Sequence, residues 1–210
     1  MALKAVVFDY GNVLTAGYDA AARARLLELT GLDEAGLERY YWPRRNDYDL
    51  GILGGDSFWQ SFSDDAALGL SPEIVHELAL TDARMWSTWN PRMTDWQKKL
   101  KAHGIKTGVL SNMGDTVLNV LCATHKWIAD FDVVVWSYEL KIAKPDAAIY
   151  KALLERIGTR PEETLFLDDR EENIVAARAL GIDGLLFTTV EQLQKDLGAK
   201  GLENELPMPL

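Results

Sequence analysis

The sequence predicts an α/β fold: a Rossmann-like parallel sheet whose chain is interrupted, after the first strand, by a helical insert. Three observations carry this expectation. Five short apolar runs, at residues 5–8, 105–110, 132–136, 164–167 and 182–187, read as strands buried on both faces of a parallel sheet, without helical or alternating periodicity. The later runs are separated by stretches of helical spacing, the alternation of an α/β core. Residues 16–89 hold no β-branched run, only closely spaced helix signals. The expected division is a core of residues 1–15 and 90–210 and a helical cap domain of residues 16–89, for which 210 residues suffice.

The first strand, from Ala5 to Phe8, ends in Asp9, and Gly11 with Asn12 then lets the backbone turn sharply. A four-helix insert follows. Residues 19–29 have apolar positions at helical spacing and stop at Gly31; Asp33 is placed to cap residues 34–42 ahead of Pro43. Residues 44–51, which include Arg44, Arg45, Tyr48 and Asp49, read as a loop. Asp56 or Ser57 is placed to cap a helix holding Phe58, Trp59 and Phe62. Ser71, Pro72 and Glu73 are the cap, first-turn proline and first-turn acid of another that runs toward Trp86. Aromatic residues at helical spacing pack inside, which is the expectation for Trp59 and Trp86. Trp42 and Tyr48, beside Arg44 and Arg45, are the insert residues expected to touch a substrate.

Asn90 and Pro91 open a helix that closes with Lys98, Lys99, Lys101, His103 and Gly104, cations and glycine where a helix C-terminus favours them. The strand at 105–110 leads into Ser111, Asn112, Met113, Gly114 and Asp115, a turn whose hydroxyl and free N–H groups form an oxyanion or phosphate seat. Pro145 keeps Lys144 out of the helix that Asp146 caps, so the lysine is held on a loop. The strand at 164–167 ends in Asp168 and Asp169, with Asn173 in the helix beyond. Thr188 and Glu191 form a capping box for the last helix, and residues 198–210 are expected to be a loose end.

With 22 basic and 32 acidic residues the net charge is −10, and there is no Lys/Arg stripe, which argues against nucleic acid and anionic membrane as partners. No apolar run approaches the roughly 20 residues of a membrane span, and the first strand begins close to Met1; a cytoplasmic location is expected. Cys122 is the sole cysteine, so no intrachain disulfide forms, and it is expected as a small buried apolar group. Monomer and homodimer are both compatible with the composition.

Asp9, Ser111 with Asn112, Lys144 with Pro145, and Asp168 with Asp169 thus follow four different strand-like runs. In an open parallel sheet the carboxyl ends of strands border the ligand crevice. Two adjacent carboxylates repel unless a cation offsets them, so the acidic pair suggests Mg²⁺. A nucleophile, a hydroxyl and amide cradle, a cation and an acidic pair in this order resemble the haloacid dehalogenase superfamily, and within it the phosphatase branch with a small helical cap. The resemblance runs from Val6 to Gly181, the third motif continuing into Ile149 and Tyr150.

That resemblance implies that Asp9 attacks phosphorus and that water hydrolyses the resulting aspartyl-phosphate. It implies Mg²⁺ held by Asp9, the backbone carbonyl of Gly11 and Asp169, with Asp168 nearby, and phosphoryl oxygens held by Ser111, the amide of Asn112 and Lys144. The substrate would be a small phosphate ester, sugar phosphates among the candidates, its leaving group met by Trp42, Arg44, Arg45 and Tyr48. One position departs from the pattern: the acid/base Asp usual two residues after the nucleophile is Gly11 here. The Gly11, Asn12, Val13 continuation resembles a sub-branch that includes bacterial glucose-1-phosphate phosphatase and relatives of the epoxide-hydrolase N-terminal phosphatase domain. Two alternatives stand beside this reading. A metal-free 2-haloacid dehalogenase is opposed by the acidic pair, and a catalytically idle binding protein is motivated by Gly11.

Overall fold

Residues Ala5–Phe8 form β1, whose four side chains have no exposed surface. The computed structural model describes residues 2–124 and 126–209, so His125 lies outside the described residues. Strands β2 (Lys106–Ser111), β3 (Val133–Trp136), β4 (Thr164–Asp168) and β5 (Asp183–Leu186) complete a five-stranded sheet in the order β3-β2-β1-β4-β5. Every pairing is parallel. β1 is central, which is why its sequence is apolar without alternation: both faces are covered. Val6 and Phe8 enter one apolar cluster, Ala5 and Val7 the other, as the two-residue period of a strand requires. Phe8 meets the rings of Trp96 and Phe131 edge-on at 5.6 and 5.8 Å. Burying one such side chain contributes about 1.5–3 kcal/mol.

Between β1 and β2 lie α1 (Ala20–Thr30), α2 (Glu34–Tyr41), α3 (Arg45–Asp49), α4 (Gly55–Asp65), α5 (Pro72–Met85) and α6 (Pro91–Ala102). Asp19, Asp33 and Ser71 each accept a backbone N–H two or three residues into their helices, and Gly31 closes α1 with φ +69°. The stretch read as a loop is mostly helical: a 3-10 turn over Trp42–Arg44 runs straight into α3. Local propensity says little for so short a helix. Arg45 holds it instead, paired with Asp49 one turn on at 2.9 Å and set 5.2–5.5 Å from the ring centres of Tyr41, Tyr48 and Trp86. α4 starts after Gly54, with Asp56 in its first turn rather than at its cap; Asp115 supplies the acceptor for the Gly55 N–H at 3.1 Å.

The remaining helices are α7 (Asp115–Thr124), α8 (Ser137–Leu140), α9 (Ala147–Ile157), α10 (Glu171–Ala179) and α11 (Val190–Ala199). Three expectations change here. The cap of α11 is Thr189, one residue later than expected, accepting from Gln192. Cys122 is exposed, because it falls on the outer side of α7 whose Val117, Leu118 and Leu121 face inward. The C-terminal stretch is docked rather than loose: Leu206 is buried, Trp96 donates to the Pro207 carbonyl at 2.5 Å, and Glu205 accepts the Leu3 N–H at 3.1 Å.

Candidate active site

The register places the chemistry. Phe8 lies opposite Val109 and Leu167, so the residues that follow β1, β2 and β4 leave the sheet along one edge. Asp9 Oδ1 accepts the N–H of Tyr10 at 2.7 Å and the ammonium of Lys144 at 2.8 Å. The same ammonium donates to Asp168 Oδ2 at 2.6 Å. Asp168 is fully buried and also accepts the Arg170 N–H at 2.9 Å and the Asn173 amide at 2.9 and 3.1 Å. Asp169 Oδ2 accepts from Asn12 at 2.8 Å. Asn12 reaches it from a left-handed backbone, φ +55°, which asparagine tolerates better than most residues. Asp9 Oδ2 and Asp169 Oδ1 accept no hydrogen bond from the described residues.

Two loops are locked together beside this cluster. Asn112 donates to the carbonyl of Lys144 at 2.9 Å and accepts the Lys144 N–H at 2.8 Å. The side-chain amide of Asn112 is therefore spent on holding Lys144 in place.

The electrostatics follow from burial. It pushes Asp9 up from the ordinary 3.8 to about 6; Asp168 and Asp169 add to this and Lys144 opposes it. Burial works against the charge of Lys144 too, but Asp9 and Asp168 outweigh it and hold the ammonium above its ordinary value. Oxygens of Asp9, Asp168 and Asp169 lie within 4.8 Å of one another, with the one ammonium between two of them. Three carboxylates against one ammonium leave negative charge that a hard divalent cation would neutralise, so the donor set fits Mg²⁺.

A cavity of about 470 Å³ opens above the carboxylates. The core lines it with Asp9, Gly11, Ser111, Asn112, Lys144 and Asp169; the insert lines it with Tyr18, Trp42, Arg45, Asp49 and Trp86. Of the insert residues expected at a substrate, Trp42 and Arg45 therefore reach the cavity and two do not. Arg44 turns outward to pair with Asp65, and neither it nor Tyr48 is among the lining residues. Tyr48 is buried, stacked on Phe58 with ring centres 5.1 Å apart, and takes the Val117 N–H at 3.4 Å. Its ring lies against Gly114, where an added Cβ would come within 2.3 Å. The expectation of core packing holds for Trp59, which is fully buried, and in part for Trp86, which is half-buried against the core and also lines the cavity. Trp86 ends α5 where the chain turns back to the core, and its ring faces the cavity between Tyr18 and Arg45. Asp49 and Tyr18 carry no motif of their own, and only the return of the insert over the sheet edge brings them here; Asn12 arrives with the turn that follows Asp9.

Residues 3–181 match the family model described as a haloacid dehalogenase-like hydrolase. The chain belongs to that family. Among relatives of this haloacid dehalogenase-like hydrolase, a sesquiterpene phosphatase of Aspergillus oryzae is 30% identical over 151 residues, 67% of this chain and 77% of that one. A phosphatase of Mycobacterium tuberculosis is 28% identical over 212 residues, 96% of each chain. Some relatives are far longer proteins: the chain spans 19% of the mouse acyl-CoA dehydrogenase family member 10. The fold is shared with a family enzyme of Bacteroides thetaiotaomicron solved as a magnesium complex, with a TM-score of 0.75, 23% identity, and 90% of this chain and 94% of that one covered.

Proposed function

We propose that this hydrolase is a Mg²⁺-dependent phosphatase of a small organic phosphate monoester, working through an aspartyl-phosphate on Asp9, with sugar phosphates among its candidate substrates. One observation carries the reading: Asp9 is buried at the floor of the cavity, its Oδ1 held by Lys144 and the Tyr10 N–H while its Oδ2 accepts no hydrogen bond from the described residues. Residues 16–89 act in this reading as the cap over a core formed by 1–15 and 90–210. The phosphatases among the relatives support it.

Asp9, Asp169 and the Gly11 carbonyl would hold Mg²⁺, with Asp168 beside them. When bound, the ion supplies charge neutralisation between two anions that must meet. The rest is done by the chain. Lys144 keeps Asp9 ionised and aimed, and together with Ser111 and the Asn112 N–H it binds the oxygens of the phosphoryl group. Asp9 Oδ2 forms a bond to phosphorus as the ester oxygen leaves; water then attacks phosphorus and frees Asp9. The side chains of Asp168 and Asn112 fix Lys144, Asn173 fixes Asp168, and Asn12 fixes Asp169.

The test is a panel of phosphate monoesters assayed with Mg²⁺, with EDTA, and with Asp9→Asn. Phosphate release that needs Mg²⁺ and disappears in the variant is expected. Activity of Asp9→Asn equal to that of the unaltered protein would remove Asp9 as nucleophile. A relative from Pseudomonas, (S)-2-haloacid dehalogenase 1, is 26% identical over 205 residues, so 2-chloropropionate belongs in the panel. Chloride release that survives EDTA would replace the phosphatase reading with carbon–halogen cleavage.

A further inference from the structure

Gly11 leaves the departing alcohol without a proton donor at the usual place. The vacancy is real in space: a Cβ built on Gly11 would meet nothing nearer than Asp9 Oδ2 at 3.9 Å and Trp86 at 4.0 Å, and the backbone there has an ordinary φ of −62°. The donor must come from another group on the cavity wall. Asp9, Asp169 and Lys144 belong to the phosphoryl site, and Arg45 and Arg170 do not release protons. Tyr10 gives its phenol proton to the Trp86 carbonyl at 2.7 Å. Two ionisable groups remain, Tyr18 and Asp49. Tyr18 is 45% exposed, and burial of the rest of the ring pushes its phenol further above 10, away from proton transfer at neutral pH.

Asp49 has the opposite properties. Its side chain is 14% exposed, lines the cavity and is oriented by Arg45 at 2.9 Å. Its backbone carbonyl accepts the Ser137 hydroxyl, and that same hydroxyl oxygen accepts the Met113 N–H at 2.9 Å, two residues after Ser111. Lys141 adds a second tie, donating to the Gly51 carbonyl at 2.6 Å. The end of α3 is thereby pinned to the loop that forms the phosphoryl seat. Charged groups reach Asp49 from three elements: Arg45 on α3, Asp82 on α5 and Arg170 before α10. Burial pushes the Asp49 carboxyl up and Asp82 adds to this, while Arg45 and Arg170 pull it down; the net direction is up.

We propose that Asp49 is the general acid/base of this protein, replacing from the insert the carboxylate that Gly11 lacks. The proposal rests on the phosphatase reading. In the first half-reaction the Asp9–phosphorus bond forms, the bond from phosphorus to the ester oxygen breaks, and the carboxyl proton of Asp49 passes to that oxygen, releasing a neutral alcohol. In the second, water bonds to phosphorus, the Asp9–phosphorus bond breaks, and the water proton returns to Asp49.

Two esters of similar size and opposite need for a proton separate this from a structural role: benzyl phosphate, whose alkoxide needs protonation, and 4-nitrophenyl phosphate, whose phenolate leaves without it. Release of each alcohol is followed in the first turnover, with Mg²⁺, for the unaltered protein and for Asp49→Asn. Benzyl alcohol release should fall by about 10²–10⁴, and nitrophenolate release by a factor at least tenfold smaller. Equal losses for both esters, or no loss for benzyl phosphate, would overturn the proposal. Asp49→Ser serves the same comparison if the asparagine variant does not fold. Adding Gly11→Asp to Asp49→Asn should restore benzyl alcohol release tenfold or more. If the unaltered protein releases neither alcohol, or Asp9→Asn releases both as fast, the phosphatase reading itself fails and takes this assignment with it.

Discussion

Lys144→Met tests the electrostatic centre of the site without needing a substrate. The Lys144 side chain is 1% exposed, and its ammonium lies 2.8 Å from Asp9 and 2.6 Å from Asp168. Methionine matches its length and removes its charge. Deleting one partner of a buried ion pair costs about 3–5 kcal/mol, because it leaves an uncompensated charge. For a chain of this size each kcal/mol shifts Tm by about 2–4 °C, so a fall of roughly 6–20 °C is expected at pH 8. The pH dependence follows from Asp9, whose carboxyl is raised to about 6 in the folded protein. Its ionisation therefore costs the folded state stability as pH rises through that value, and costs more once Lys144 is gone. The gap in Tm should widen from pH 5 to pH 8 and narrow when Mg²⁺ is added at pH 8. Thermal unfolding followed by circular dichroism at the two pH values measures it. Equal Tm values at pH 8, or a gap that ignores pH, would refute the assignment of Lys144 as the counter-charge.

Mg²⁺ should raise the Tm of the unaltered protein, and its apparent affinity, measured by calorimetry, should weaken about tenfold per pH unit below about 6, where Asp9 carries a proton; an affinity constant from pH 5 to 8 counts against Asp9 as a ligand. Gly114→Ala brings a methyl group within 2.3 Å of the Tyr48 ring, so α3 must shift. A loss of about 1–3 kcal/mol in urea unfolding is expected, and an unchanged midpoint would show that the packing of residues 42–51 on the core is loose. Arg45→Met strips the counter-charge from Asp49 and the buried Asp82, 2.9 and 3.6 Å from its guanidinium. It should cost about 3–5 kcal/mol and speed proteolysis within residues 16–89; wild-type resistance would contradict the role of this cluster.

The sequence by itself determined the strands and what stands at their ends. A strand covered on both faces must be apolar along its length, and the polar residue that ends it must emerge at the sheet edge. Asp9, Ser111 and Asp168 were therefore legible one at a time, from local pattern, and Lys144 from the proline that follows it. Helix starts marked by Asp19, Asp33 and Ser71 were legible for the same reason, since a cap bonds to its own chain two or three residues away.

Tertiary structure decided everything that depends on residues far apart in the chain meeting. The helix at Arg45–Asp49 exists because its arginine is surrounded by rings from α2 and α5, which no window of ten residues contains. Trp86 walls the cavity and Trp59 fills the core of the helices between β1 and β2, a difference set by which side of those helices meets the sheet edge. The docked C-terminal stretch is held by Trp96 and Leu3, and Asp49 reaches the cavity because α8 ties it there from 88 residues away. Local pattern records what one element needs to bury; it carries no term for the partner that will do the burying.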